Sequence, residues 1–237
     1  IGAGNAANTA AAFQAAASTI LEQAGWDAAV TAPAHAALGR GGLATAWGQY
    51  LDAMDPPADE DTYWRIIRSK TPPLYGASFE IGALAAGASL EVARGFRDLA
   101  MPMGELSQIG DDLHDALQIP AEPDWQRQCT NLPILFARLA DYPDRQRFAE
   151  LETRIDERAA LEEAQHLLVT SGALSYCALH MIRANREARQ QIAALPVDDP
   201  DPLHTLFDER IAPLKGLLET CGVENVEELF AGDPDDL

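Results

Sequence analysis

The most informative segment of this chain is Gln108-Ile109-Gly110-Asp111-Asp112-Leu113-His114-Asp115, in which three carboxylates fall within five positions. If the segment is helical, Asp111 and Asp115 stand one turn apart on the same face, and Asp112 lies beside them. Crowded carboxylates repel one another unless a proton or a cation lies between them, and hard oxygen ligands suit Mg²⁺. The spacing is equally typical of a solvated acidic face, so both interpretations stay open at this point.

Helical spacing of apolar residues extends from this segment through the rest of the chain. Leu99, Met103, Leu106, Leu113 and Leu117 recur at intervals that are typical of an amphipathic helix. We predict helices over residues 8–24, 33–53 (interrupted by glycines), 61–69, 74–90, 99–117, 131–140, 145–166 (charged and exposed) and 170–195, and a short one after residue 202. Because no stretch alternates with period two for long, the sequence predicts an all-α fold in a single domain over residues 1–237.

The charge balance excludes several classes of partner. The 237 residues include 17 Lys and Arg against 37 Asp and Glu, which gives a formal net charge of −20. Nucleic acids and anionic membrane surfaces both attract basic residues, so neither partner is expected.

No apolar run reaches the length of about 18 residues that a membrane span needs. Cys129, Cys177 and Cys221 show no C-x-x-C spacing, which is typical of reduced thiols and predicts a cytoplasmic protein.

Lys70 is a candidate ligand for phosphate. Only two of the 17 basic residues are lysines, and Lys70 directly precedes Thr71 and two prolines. A compact ammonium group suits a diphosphate oxygen, although the helix dipole also favours an ordinary solvated lysine at a helix C-terminus. Gln49, within Gly48-Gln49-Tyr50-Leu51-Asp52, indicates nothing by itself.

Four blocks taken together resemble the trans-type isoprenyl (polyprenyl) diphosphate synthases: Gly48-Gln49-x-x-Asp52, Lys70-Thr71, Gln108-Ile109-x-Asp111-Asp112-x-x-Asp115 and Asn131-Leu132-Pro133. The resemblance covers residues 1–139 well and the helical remainder loosely. It implies an isoprenoid synthase-type helical bundle around a central cavity, and it implies a homodimer.

The same resemblance implies a Mg²⁺-dependent prenyl transferase. Such an enzyme condenses isopentenyl diphosphate with an allylic prenyl diphosphate to give a linear isoprenyl diphosphate. Metal ions and cationic side chains neutralise the diphosphate as it leaves the allylic carbon. The residues that the resemblance assigns to this site are Asp111, Asp112 and Asp115 as Mg²⁺ ligands, Lys70 and Gln108 as contacts of the allylic diphosphate, Thr71 as a residue that positions it, and Gln49 beside the growing chain.

Two parts of the family pattern are missing. No first aspartate-rich motif precedes these blocks, and we expect it, with the basic residues for isopentenyl diphosphate, in a segment upstream of Ile1. The Gly-Lys pair and the Thr that the family usually has before Leu132-Pro133 are replaced by Gln128-Cys129 and Asn131, and Arg127 would then supply the cation. Two alternatives stay open: a class I terpene cyclase that uses the same pocket, and a non-catalytic subunit that pairs with an active synthase.

Overall fold

A computed structural model describes residues 2–54, 59–126 and 131–236 of the chain. Within these ranges all regular structure is helical, which confirms the predicted all-α fold. The helices of the first half are α1 (Ala3–Gln23), α2 (Ala28–Met54), α3 (Glu60–Lys70), α4 (Pro72–Ala85), α5 (Leu90–Asp98) and α6 (Ala100–Leu117). Those of the second half are α7 (Pro123–Gln126), α8 (Leu132–Leu139), α9 (Arg145–Glu152), α10 (Arg158–Thr170), α11 (Ala173–Ala194), α12 (Asp201–Thr220) and α13 (Val226–Leu229), followed by a 3₁₀ turn at Pro234–Asp236.

Helix α6 packs against several other helices of the bundle. Its neighbours include α3, α4, α8, α11 and α12. Leu106 and Ile109 of α6 belong to one apolar cluster with Tyr63 of α3, Met181 of α11 and Phe207 of α12. All five side chains are buried, and burying an apolar side chain of this size stabilises a fold by about 1.5–3 kcal/mol. The core therefore fixes the position of α6 and of the acidic segment at its C-terminal end.

The predicted exposed helix over residues 145–166 is wrong in two respects. The chain forms α9 and α10 as separate helices with a turn between them. Phe148 and Leu161 are buried in a second apolar cluster, so this region is not simply a solvated surface. Its outer face carries ion pairs such as that between Arg147 and Glu163, with 2.6 Å between nitrogen and oxygen. Because charged residues are frequent in this segment, the sequence pattern does not reveal the buried apolar face of the two helices.

Glycine and proline positions account for other differences from the predicted helices. Gly172 adopts a left-handed backbone with φ of 89°, so the helix predicted over residues 170–195 begins only at Ala173. By contrast, α2 continues through Pro33 and its glycines without a break. The helix predicted to be short near the C-terminus, α12, has 20 residues.

Two glycines allow the backbones around the junction of α3 and α4 to approach closely. A Cβ atom on Gly48 of α2 would lie 2.5 Å from the backbone nitrogen of Lys70. A Cβ atom on Gly104 of α6 would lie 2.8 Å from Cδ of Pro72. Because no side chain fits at either position, α2 and α6 both pack directly on this junction. The packing fixes where Lys70 and the following residue lie.

The helices differ from membrane spans in length and hydropathy. In the described ranges no single helix is long and apolar enough to cross a membrane. Only the pair α10 and α11, taken together across a bend of 55°, passes the criteria of length and composition. Both helices contribute buried residues to the apolar clusters.

We expect Gly48→Ala to destabilise the protein by about 1–3 kcal/mol, because the added methyl group would overlap the backbone of α3. Gly39→Ala is the matched control, since Gly39 lies in the same helix and a Cβ atom there has nothing within 4 Å. Alanine is the better helix former, so the control should gain up to about 1 kcal/mol. Urea unfolding measures both changes, and equal stability of the two variants would contradict the close approach of α2 and α3.

Candidate active site

Asp112 lies at the base of the candidate site, where three helices meet. Its Oδ2 accepts hydrogen bonds from the Tyr63 hydroxyl of α3 and from the backbone N–H of Leu132 at the start of α8, both at 2.8 Å. Its Oδ1 accepts from Nε2 of Gln108 at 2.8 Å. Burial raises the pKa of Asp112 to about 7, while the three donors oppose the rise. Asp112 therefore joins α3, α6 and α8 through one buried carboxyl group.

A chain of polar contacts leads from Asp112 toward solvent. Oε1 of Gln108 accepts a hydrogen bond from the Thr71 hydroxyl at 3.2 Å, so the Gln108 amide is held at both ends. Lys70 precedes Thr71, and its Nζ forms an ion pair with Oδ2 of Asp52 at 2.8 Å. The structure thus brings together the predicted residues Lys70, Thr71, Gln108 and Asp112. It adds Asp52, which belongs to the quoted Gly-Gln-x-x-Asp block but had no predicted role.

A second group of carboxylates lies on α6 and α7. Asp111 is exposed and Asp115 is partly exposed, one helical turn apart on α6. Asp124 of α7 is half-buried, and burial raises its pKa; the hydrogen bond from Asn131 opposes this, and Asp115 and Asp52 add to it. Lys70 lowers the pKa of the same carboxyl group. Asp52, Asp115 and Lys70 are therefore all close enough to Asp124 to affect its pKa.

Asn131 connects the two groups of carboxylates. The residue is fully buried, and its Nδ2 donates to the Asp112 carbonyl oxygen at 2.9 Å and to Oδ2 of Asp124 at 3.2 Å. Its Oδ1 accepts from the Ile134 N–H at 3.4 Å and so caps α8. The residue that departs from the family pattern therefore positions Asp124 in this chain.

Sequence reasoning missed Asp124, because no helical spacing or motif marks it. The indole N–H of Trp125 donates to the carbonyl oxygen of Ala116 at 3.1 Å, and this contact holds α7 against the end of α6. The only available signal was the position of Asp124 seven residues before Asn131, and this spacing indicates no chemistry until the fold is known.

The predicted site also includes Gln49 and Arg127. Gln49 is exposed on α2, one turn before Asp52, and Arg127 lies outside the described residues.

A cavity of about 450 Å³ lies between α2, α4 and the start of α6. Small residues such as Gly41 and Ala77 form part of its wall. Arg40 at its edge is paired with the buried Glu80, with 2.8 Å between nitrogen and oxygen. The described members of the predicted site are not among the residues that line it. The cavity and the carboxylates around Lys70 are therefore distinct features.

The carboxylates fit Mg²⁺ in one specific way. In the described part of the chain, no three His, Cys, Asp or Glu side chains are close enough to hold a metal ion by themselves. Mg²⁺ is usually bound by one or two carboxylates and completes its shell with water and substrate phosphates. Asp111 and Asp115 match that requirement, since both reach solvent. Both oxygens of Asp112 already accept hydrogen bonds, so its assignment as a direct ligand stays a prediction that this geometry does not favour.

Comparisons of sequence place these residues in a family context. The family model for polyprenyl synthetase matches residues 1–168. Octaprenyl diphosphate synthase of Escherichia coli strain K12 is 29% identical over 158 residues, which are 63% of this chain and 47% of that protein. Geranylfarnesyl diphosphate synthase of Aeropyrum pernix is 26% identical over 166 residues, which are 66% of this chain and 52% of that protein. The chain spans about half the length of the curated relatives it matches.

Solved structures agree with the sequence comparisons. A decaprenyl diphosphate synthase from Rhodobacter capsulatus is similar with a TM-score of 0.66 and 25% identity, over 76% of this chain and 59% of that one. A polyprenyl synthase from Caulobacter crescentus CB15, in complex with calcium and isoprenyl diphosphate, gives a TM-score of 0.65 and 27% identity over 76% of this chain and 58% of that one. Because the family model matches more than two thirds of the sequence and the helical bundle agrees, the chain belongs to the polyprenyl synthetase family.

Proposed function

We propose that this protein is a Mg²⁺-dependent prenyl transferase, which condenses isopentenyl diphosphate with an allylic prenyl diphosphate to a linear isoprenyl diphosphate. The observation that carries the proposal is the ammonium group of Lys70, set among carboxylates of α2, α6 and α7. The relatives support the reaction class, since two are synthases of octaprenyl and geranylfarnesyl diphosphate. The calcium and isoprenyl diphosphate in the Caulobacter crescentus structure support a site that combines cations with a diphosphate.

The charge of the site explains why a divalent cation is needed. Asp52 is paired with the ammonium group of Lys70. Asp124 lies close enough to Lys70, Asp52 and Asp115 for all three to affect its pKa, so carboxyl groups outnumber ammonium groups here. A diphosphate is strongly anionic, so such a site would repel it in the absence of further positive charge. Mg²⁺ held by Asp111 and Asp115 would reverse the local field and neutralise charge on the leaving diphosphate.

The side chains at the base of the site would orient the leaving group. Lys70 would exchange its ion pair with Asp52 for a diphosphate oxygen, and Thr71 and Gln108 would hold the same group in one direction. As the allylic carbon–oxygen bond breaks, its electron pair stays with the diphosphate. The double bond of isopentenyl diphosphate then attacks the allylic cation, and a proton leaves. Gln49 would lie beside the growing chain, and a contact from Arg127 stays a prediction.

We infer a homodimer from the apolar surface of α1 and α2, which are neighbours in the bundle. Phe13 and Ile20 of α1 are exposed, as are Leu43, Trp47 and Met54 of α2. Apolar exposure of this kind marks surfaces that associate with another protein. Sedimentation velocity of the protein, with any segment that precedes Ile1 included, should therefore give twice the mass of its single chain, and a monomer at micromolar concentration would contradict the inference.

Product formation tests the proposed reaction, with any segment that precedes Ile1 included in the protein. With isopentenyl diphosphate, an allylic primer and Mg²⁺, we expect elongated products. We expect EDTA to abolish them, because the diphosphate is a poor leaving group without a cation that neutralises its charge. Diphosphate release from the primer alone, with a hydrocarbon or alcohol as product, would instead indicate a class I terpene cyclase. The absence of both product and diphosphate release with primers of every length would contradict the proposal and favour a non-catalytic subunit.

Two adjacent aspartates provide matched variants for this assay. Asp111→Ala removes an exposed carboxylate, so turnover should fall at least about 100-fold while stability is unchanged. Asp112→Ala leaves three donors without their acceptor, so the free energy of unfolding should fall by about 3 kcal/mol. The reverse pattern, a stable Asp112→Ala and an unfolded Asp111→Ala, would overturn the assignment of roles.

A further inference from the structure

A second cavity, of about 210 Å³, lies on another side of α8. Apolar side chains of α8, among them Leu135 and Phe136, form most of its wall, and Ala140 follows at the end of the helix. Glu60 and Tyr176 provide its polar groups. Neither residue has a role in the diphosphate site proposed above, so the cavity needs a separate explanation.

Glu60 is held in one orientation with part of its accepting capacity unused. It lies in the first turn of α3, where the helix dipole favours a negative charge. Its Oε1 accepts hydrogen bonds from the Trp64 indole N–H at 2.9 Å and from the Tyr176 hydroxyl. Within the described ranges no donor is seen on Oε2, although a carboxylate can accept about four hydrogen bonds. One oxygen of a fixed carboxylate therefore remains available beside the cavity.

Aromatic rings lie beside this carboxylate, and two of them, Phe136 and Tyr176, line the cavity. Tyr176 stacks on Phe136 with 4.6 Å between ring centroids and meets the edge of His180, also at 4.6 Å. The Trp64 ring lies 4.7 Å from His180. Burial lowers the pKa of His180, so this imidazole is neutral near pH 7 and does not compete as a cation. Aromatic faces combined with a carboxylate attract organic cations.

Two basic side chains nearby, Arg68 and Arg183, have other partners. Arg68 lies over the Trp64 ring at 5.1 Å, and its Nε lies 2.7 Å from Oε1 of Glu105. Arg183 donates to the carbonyl oxygen of Pro234 at 3.4 Å. Neither cation is within ion-pair distance of Glu60 in the described structure. The charge of Glu60 is therefore not cancelled by either of them.

We propose that this cavity binds a small primary amine in its ammonium form. The ammonium group donates to Oε2 of Glu60, and an apolar body lies along Leu135 and Phe136. The cavity volume of about 210 Å³ equals that of roughly seven water molecules at about 30 Å³ each. This volume suits a ligand that consists of one phenyl ring with a short arm. The proposal rests on the aromatic rings and the carboxylate, and it does not depend on the prenyl transferase reaction.

Calorimetric titration with three probes of the same shape tests the charge requirement. The probes are 2-phenylethylamine, the neutral 2-phenylethanol and the anionic 3-phenylpropionate. We expect the amine to bind about tenfold more tightly than the alcohol, since a charge-assisted hydrogen bond is stronger than a neutral one, and we expect no binding of the anion. Equal affinity for amine and alcohol would overturn the proposal, and so would absence of binding by the amine.

Substitutions localise the binding. Glu60→Gln keeps an oxygen acceptor for Trp64 and Tyr176 but removes the charge, so the preference for the amine should disappear. Glu91→Gln is the matched control, because Glu91 also lies in the first turn of its helix, α5, and is exposed; its titration should be unchanged. Ala140→Phe should fill the cavity and abolish binding of amine and alcohol alike. Amine binding that survives both Glu60→Gln and Ala140→Phe would place the amine elsewhere and contradict the proposal.

Discussion

Asp112 accepts hydrogen bonds from three directions, through the side chains of Tyr63 and Gln108 and through the backbone of Leu132. A buried carboxyl group without such donors would be costly, so α3, α6 and α8 cannot shift independently of one another. Because successive helical residues are rotated by about 100°, an inward Asp112 leaves Asp111 at the solvent edge. The chemistry proposed for α6 thus depends on a neighbouring side chain that is itself inaccessible.

The position of Lys70 depends on a second constraint, which is steric. Gly48 allows the backbone of α2 to touch the end of α3, and Gly104 allows α6 to touch the first turn of α4. This packing brings Asp52 within 2.8 Å of the Lys70 ammonium group. An ammonium group in this place is partly buried among carboxylates. It is therefore available to an anion only when added cations compensate for the negative charge.

Local features of the sequence were sufficient for the fold class and for part of the site. The helical spacing around residues 108–115 and the Lys70-Thr71 pair depend on residues close in the chain, and the structure brings both together. The different environments of Asp111 and Asp112 could not be predicted, because the two residues are chemically identical and only their tertiary partners separate them. Asp124 was not predicted for the same reason, because only tertiary contacts with Asn131 and the packing of α7 bring it to the site.

The region beyond residue 140 was predicted less well, and the cause is physical. Arginine and glutamate on the outer face of α9 and α10 form ion pairs, and their charge conceals the buried Phe148 and Leu161. A single glycine with a positive φ, Gly172, then separates two helices whose apolar patterns run together in the sequence. In the first place the charged residues led to the wrong prediction of an exposed helix, and in the second the apolar pattern gave no sign of the break at Gly172.

Anomalous diffraction from crystals that contain Mn²⁺ and an allylic thiolodiphosphate tests the central claim most directly, because it locates the metal and the diphosphate in one experiment. The account predicts Mn²⁺ at about 2.0–2.2 Å from carboxylate oxygens of Asp111 and Asp115, with a diphosphate oxygen in contact with Lys70 and with Asp112 still bonded to Tyr63 and Leu132. Metal bound at a different place, or a diphosphate that makes no contact with Lys70, would contradict it.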